Sequence, residues 1–87
     1  MVVSSWTYRS VLSYFLARCG RPVAPYVVSA MIGEGIQAVE QACNDLAQAG
    51  LLTKLASDDT SHVRFQLIDP QVEAARTALT RGIIRPE

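Results

Sequence analysis

Apolar residues recur at three- and four-residue steps from the N-terminal end of the chain: Tyr8, Val11, Leu12, Phe15, Leu16 and Cys19. That spacing gathers them on one side of a helix running to about Cys19, with Ser5 or Thr7 as its cap. Arg9, Ser10, Ser13 and Arg18 fill the opposite side. Gly20-Arg21-Pro22 stops the helix, because glycine suits a left-handed cap and proline cannot continue the ladder. Trp6 and Tyr14 fall off the apolar stripe, and the pattern leaves two readings open for them: partial burial against the tail, or a dimer contact.

Pro25 suits the first turn of a second helix, about Pro25 to Met31. Gly33 and Gly35 let the backbone turn sharply around Glu34. A third helix follows, from about Gly35 to Ala49. At ~100° per residue, Ile36, Val39, Ala42, Cys43, Leu46 and Ala47 share one side of it. Gln37, Gln41, Asn44 and Gln48 gather within roughly 60° on the other side, bordered by Glu40 and Asp45. Gly50 ends this helix.

The period then changes from helical to alternating. Leu51–Ala56 and His62–Ile68 read as two strands joined by Ser57-Asp-Asp-Thr-Ser61. Val63, Phe65 and Leu67 alternate with His62, Arg64 and Gln66, as in a half-buried hairpin. Asp69 before Pro70 is a helix start with aspartate as the cap. The last helix, about Pro70 to Arg81, offers Val72, Ala75, Ala78 and Leu79 on one face, and Gly82, Ile83 and Ile84 follow it. So small a stripe packs on its own domain or against a second subunit. The expected class is mainly α with a small β-hairpin (α+β), in the order helix-helix-helix-strand-strand-helix.

Composition narrows the function classes. The chain has 87 residues, 49% of them hydrophobic, which suits one domain over residues 1–87 with an adequate but thin core, and excludes a disordered tail. Eight basic and eight acidic residues sum to a net charge of zero, which argues against tight nonspecific nucleic-acid binding and leaves room for a local basic patch. The N-terminal stretch lacks the pattern of a signal peptide, and no segment has membrane-spanning length, so a cytoplasmic protein is expected. Cys19 and Cys43 read as small hydrophobes on apolar helix faces, with a disulfide between them as the second reading. No spacing suggests a metal site, and no nucleophile-base pair or glycine-rich phosphate loop suggests an enzyme or a cofactor.

From Ile32-Gly33 to Leu52 the chain resembles the winged helix-turn-helix regulators of the MarR, ArsR and PadR kind. Their pattern has Leu-Gly before the turn, Val inside the recognition helix, Leu near its end, then Gly-Leu-hydrophobic into the wing. Ile32, Gly33, Val39, Leu46, Gly50, Leu51 and Leu52 match it. The resemblance implies a dimer whose third helix lies in the major groove of DNA. Where those regulators often carry Ser-Arg after the helix Val, this chain has Glu40-Gln41. The wing tip is Asp58-Asp59 rather than arginine-rich, and the paired-cysteine helix of metal-sensing relatives is absent.

Two functions are expected. The first is a small dimeric DNA-binding transcriptional regulator. Gln37 and Gln41 would read base edges, since carboxamides pair bidentately with adenine, and Asn44, Gln48 and Glu40 would complete the face. Lys54, His62 and Arg64 on the hairpin would anchor phosphates, assisted by Arg9, Arg18 or Arg21. Trp6, Tyr14, Val72, Ala75 and Leu79 would form the homodimer contact. The alternative is a winged-helix protein–protein interaction module without DNA binding, whose acidic, amide-rich third helix docks on a basic protein surface such as that of a regulator or polymerase component.

Overall fold

Gly33 ends the helix before the central one and Gly50 follows the end of the central helix itself, from which the rest of the fold hangs. In the computed structural model, which describes residues 5–55 and 63–81, the elements are α1 (Ser5–Ala17), α2 (Pro25–Ile32), α3 (Ile36–Gln48), β1 (Thr53–Leu55), β2 (Arg64–Gln66), a 3-10 turn (Asp69–Gln71) and α4 (Val72–Arg81). This is a winged helix, in the expected element order. Gly33 closes α2 at φ 74°, donating to the Ser29 carbonyl. Gly35 sits at φ −62°, an ordinary value. Only one of the two glycines in the turn therefore uses a conformation closed to other residues. The Ser29 hydroxyl donates to the Glu34 carbonyl and braces the same turn.

At the far end of α3, Gly50 adopts φ 82°. Its N–H bonds the Ala47 carbonyl, and Leu51 N–H reaches back to the Leu46 carbonyl at 2.9 Å. These are the two bonds of a Schellman closure, with Leu51 as its buried apolar residue. Leu52 N–H also bonds the Leu46 carbonyl. Both amides are spent on the helix end, so β1 starts at Thr53 and not at Leu51.

The hairpin pairs Thr53 with Gln66, Lys54 with Phe65 and Leu55 with Arg64, antiparallel. A third segment joins it: Val23 bridges Phe65 through N–H···O bonds of 2.8 and 2.9 Å in both directions. The pattern of Val23-Ala24, between Pro22 and Pro25, does not announce this pairing. Ala56, His62 and the whole Ser57–Ser61 tip lie outside the described residues, as do Gly82, Ile83 and Ile84.

The core forms where α1, α3 and the hairpin meet. Val11, Leu12 and Phe15 face Val39, Ala42, Cys43 and Leu46, and Leu52, Phe65 and Leu67 close the far side. Fully burying such side chains contributes roughly 1.5–3 kcal/mol each before entropy is counted. Ile36, expected on this face, is 40% exposed. The core side of α3 begins one turn later, at Val39.

Four other expectations need correction. Thr7 does not cap α1; it lies buried in the first turn, and its hydroxyl donates 2.7 Å to Glu34 Oε1. Cys19 is exposed, because α1 ends at Ala17 and its helical periodicity no longer applies. The Cys19 thiol donates to Asp69 Oδ1 at 3.6 Å. Asp69 is not the cap of the last helix, because it lies within the 3-10 turn that follows Ile68; Gln71 braces that turn instead. Gln71 Oε1 accepts from Ile68 N–H and Thr53 Oγ1, and its Nε2 donates to the Gly50 carbonyl. Lastly, Ala75 is 0% exposed within this chain's own core. A residue sealed there has no surface to offer a second subunit.

Candidate nucleic-acid interface

The outward face of α3 is where its sequence period places it. Gln37, Glu40, Gln41 and Gln48 are exposed, and Asn44 is half-buried. Opposite them, Val39, Ala42, Cys43 and Leu46 are fully buried. One helix thus presents a carboxamide and carboxylate rim while its other side anchors the core.

That rim is partly tied down. Gln41 Nε2 donates 2.9 Å to Asp45 Oδ1. Asp45 Oδ2 accepts from the Tyr8 hydroxyl, which rises from the core side of α1. Burial, then the Asp45 hydrogen bond and charge, push the Tyr8 phenol up to about 12. Asn44 Nδ2 donates to the Glu40 carbonyl, and Asn44 Oδ1 accepts from Lys54 Nζ at 3.2 Å. Gln37 and Gln48 make no such bonds among the described residues.

Lys54 joins α3 because of strand register. It stands opposite Phe65, and side chains directly opposite on antiparallel strands share a face of the sheet. Phe65 is buried toward α3, so Lys54 projects to the same side. With Pro25, Glu40, Asn44, Val63 and Phe65 it lines a cleft of about 180 Å³ between helix and wing.

Arg64 falls on the other face, opposite Leu55. The expected phosphate anchors therefore do not form one set. Arg64 lines a second groove with Arg18, Arg21, Tyr14 and Tyr26, floored by Pro22–Ala24 and Val27, with a volume of about 390 Å³. The Arg18 guanidinium lies 3.9 Å from the centroid of the Tyr14 ring and donates to the Tyr14 carbonyl at 3.4 Å. Arg9 is exposed on α1 and is not part of this lining. His62 lies outside the described residues.

Of the residues expected at a dimer contact, Trp6 is 67% exposed. Tyr14 is half-buried beneath Arg18, and Val72 and Leu79 are half-buried against the core. Sequence reasoning missed Tyr8 and Thr7 as the pins of Asp45 and Glu34, and Tyr14 and Tyr26 as groove walls. Strand alternation alone would have separated Lys54 from Arg64, had the register been known.

Among the described residues there is no group of three or more histidine, cysteine or acidic side chains able to hold a metal ion, and no helix long and apolar enough to cross a membrane. No family model matches the sequence, and no curated protein matches it. Solved structures are similar. An apo mutant of Lactococcus lactis ZitR matches over 87% of this chain and 56% of its own, with a TM-score of 0.66 and 17% identity. The S. aureus MepR–DNA complex matches over 86% of this chain and 63% of that protein, with a TM-score of 0.66 and 14% identity. A further S. aureus MepR mutant matches over 85% of this chain and 56% of that one, with a TM-score of 0.62 and 15% identity. The chain spans less than two thirds of the length of each of these proteins. At these identities the likeness is one of fold: the backbone is that of a winged helix.

Proposed function

We propose that this chain is a DNA-binding transcriptional regulator that sets α3 into a major groove and uses the hairpin as a wing. The observation that carries this reading is the division of α3 into a sealed apolar face and an exposed carboxamide face, with Lys54 beside it. The similar fold of MepR, solved as a DNA complex, supports it. Gln37 and Gln41 sit nearest the helix N-terminus, the part of a recognition helix that meets base edges. When Gln41 turns to a base it gives up Asp45, whose other oxygen keeps the Tyr8 hydroxyl. Two copies would place their α3 helices about one helical turn of DNA apart. Trp6 is the largest apolar side chain left uncovered for such a pairing.

The test is titration of the full chain against duplexes from its own upstream region across a salt series. Gln37→Ala should lower specific affinity by ~1–3 kcal/mol and leave binding to unrelated duplex unchanged. No duplex binding even at low salt rules the reading out.

A second reading is favoured by the charge of α3, which carries exposed Glu40 and no lysine or arginine. Such a helix would dock on a basic protein surface. Glu40→Arg separates the two: duplex affinity rises under the first, and partner binding falls under the second.

A further inference from the structure

A helix that reads bases needs cations beside it to hold the phosphate backbone, and α3 has none of its own. Three of the eight basic residues of the chain instead line one groove, Arg18, Arg21 and Arg64, and among the described residues no carboxylate lines it. None of the three is paired with a carboxylate among the described residues. In a chain of zero net charge, this is a concentration of positive potential that no described carboxylate compensates within the groove.

We infer that the groove between the end of α1, the start of α2 and β2 is the phosphate-binding track of this protein, holding a phosphodiester backbone while α3 meets the bases. The inference rests on the DNA-binding reading above and assigns its backbone contacts.

Three observations carry it. The groove adjoins the α3 rim, because Pro25 lines the cleft beside Glu40, Asn44 and Lys54 while its neighbours Ala24 and Tyr26 line the arginine groove. In the proposed complex a single backbone passing the start of α2 would meet both. Arg18 is oriented in advance by the Tyr14 ring and carbonyl, so less side-chain freedom is lost when its remaining N–H groups meet phosphate. Arg21, Arg64 and Tyr26 are exposed, forming an open trough suited to an extended polyanion.

The test compares the full chain with an Arg21→Gln, Arg64→Gln double variant. Neither side chain bonds another described residue, so the double variant should keep the wild-type unfolding midpoint. On both the upstream duplex and an unrelated one, the slope of log affinity against log salt should become shallower by about 1.8, two phosphates at ~0.9 each. Gln37→Ala should leave that slope unchanged. If the duplex is bound and the double variant keeps the wild-type slope, the groove is not the track, although the DNA-binding reading survives. Pyrophosphate that binds the wild type but not the double variant, with the duplex slope unmoved, would reassign the groove to a free phosphate compound and likewise overturn the proposal. Failure of the wild type to bind any duplex at low salt removes both readings.

Discussion

The α3 rim and the arginine groove are both polar surfaces on one small fold, but the fold treats them oppositely. On and beside the rim, two carboxylates are tied to α1, Asp45 to Tyr8 and Glu34 to Thr7, and Lys54 bonds Asn44 at the surface. In the groove, Arg21 and Arg64 contact no other described side chain through a hydrogen bond or ion pair, and Arg18 leans only on Tyr14. Polar groups that are tied to the core stabilise the fold. Those left unpaired contribute little to folding and are available to a ligand. The difference is in preorganisation: rim groups must exchange an internal partner for a ligand, whereas Arg21 and Arg64 have none among the described residues to give up.

Phe65 links the two surfaces, lining the cleft beside the rim and bridging Val23 of the groove. It is buried opposite Lys54, bridged to Val23, and adjacent to Arg64 in β2. Phe65→Ala should destabilise by ~3–5 kcal/mol, measured by urea unfolding, and abolish the distinction between rim and groove together. A loss below 1 kcal/mol would show that the hairpin is not seated on the core as described.

Tyr8→Phe acts on the rim alone. It leaves Asp45 with Gln41 as its partner, and should cost about 1–2 kcal/mol in the same measurement. Rim and groove would be equivalent if this loss matched that of an arginine substitution.

Alkaline pH reaches the same tie without mutation. Tyr8 is pushed up from 10.0 to about 12, chiefly by burial and then by Asp45. Cys43 is pushed up from 9.0 to about 12, chiefly by burial and then by the Glu40 charge. Both groups are neutral when protonated, and folding favours that form. Their contribution is fully present below the unfolded values and is lost as pH rises from about 9 toward 12. Urea midpoints should therefore fall between pH 8.5 and 11, and Tyr8→Phe should flatten the upper part of that decline. An unchanged slope in the variant would remove Tyr8 from the account.

The smallest effect belongs to the groove. Arg21→Gln should shift the unfolding free energy by no more than ~0.5 kcal/mol, as expected of a surface residue without partners. A loss of 1 kcal/mol or more would mean that the groove is part of the scaffold.

Much of this fold was legible because its signals are local. The 3.6-residue period of Val39, Ala42, Cys43 and Leu46 assigns the inner face of α3, and Gly33, Gly50 and Pro25 mark helix ends through backbone limits that no distant contact changes. Cys19 was misplaced because a periodic pattern does not announce where its helix stops. Ala75 was misread because a small stripe looks the same whether it meets its own core or another subunit.

The candidate site was legible only on one helix. The composition of the Gln37–Gln48 rim follows from the order of residues, since neighbours on a helix face are three or four positions apart. The partners of that rim are distant: Tyr8 lies 37 positions from Asp45, and Thr7 lies 27 from Glu34. Such pairs depend on how α1 crosses α3, which is decided by close packing of the whole core. Strand register likewise sent Lys54 to the helix and Arg64 to the groove, because a pleated strand alternates faces at every residue. The chain alone therefore specified its helices, its turns and the two sides of α3. Tertiary packing decided which polar groups are bonded to distant partners and on which side of the sheet each cation stands.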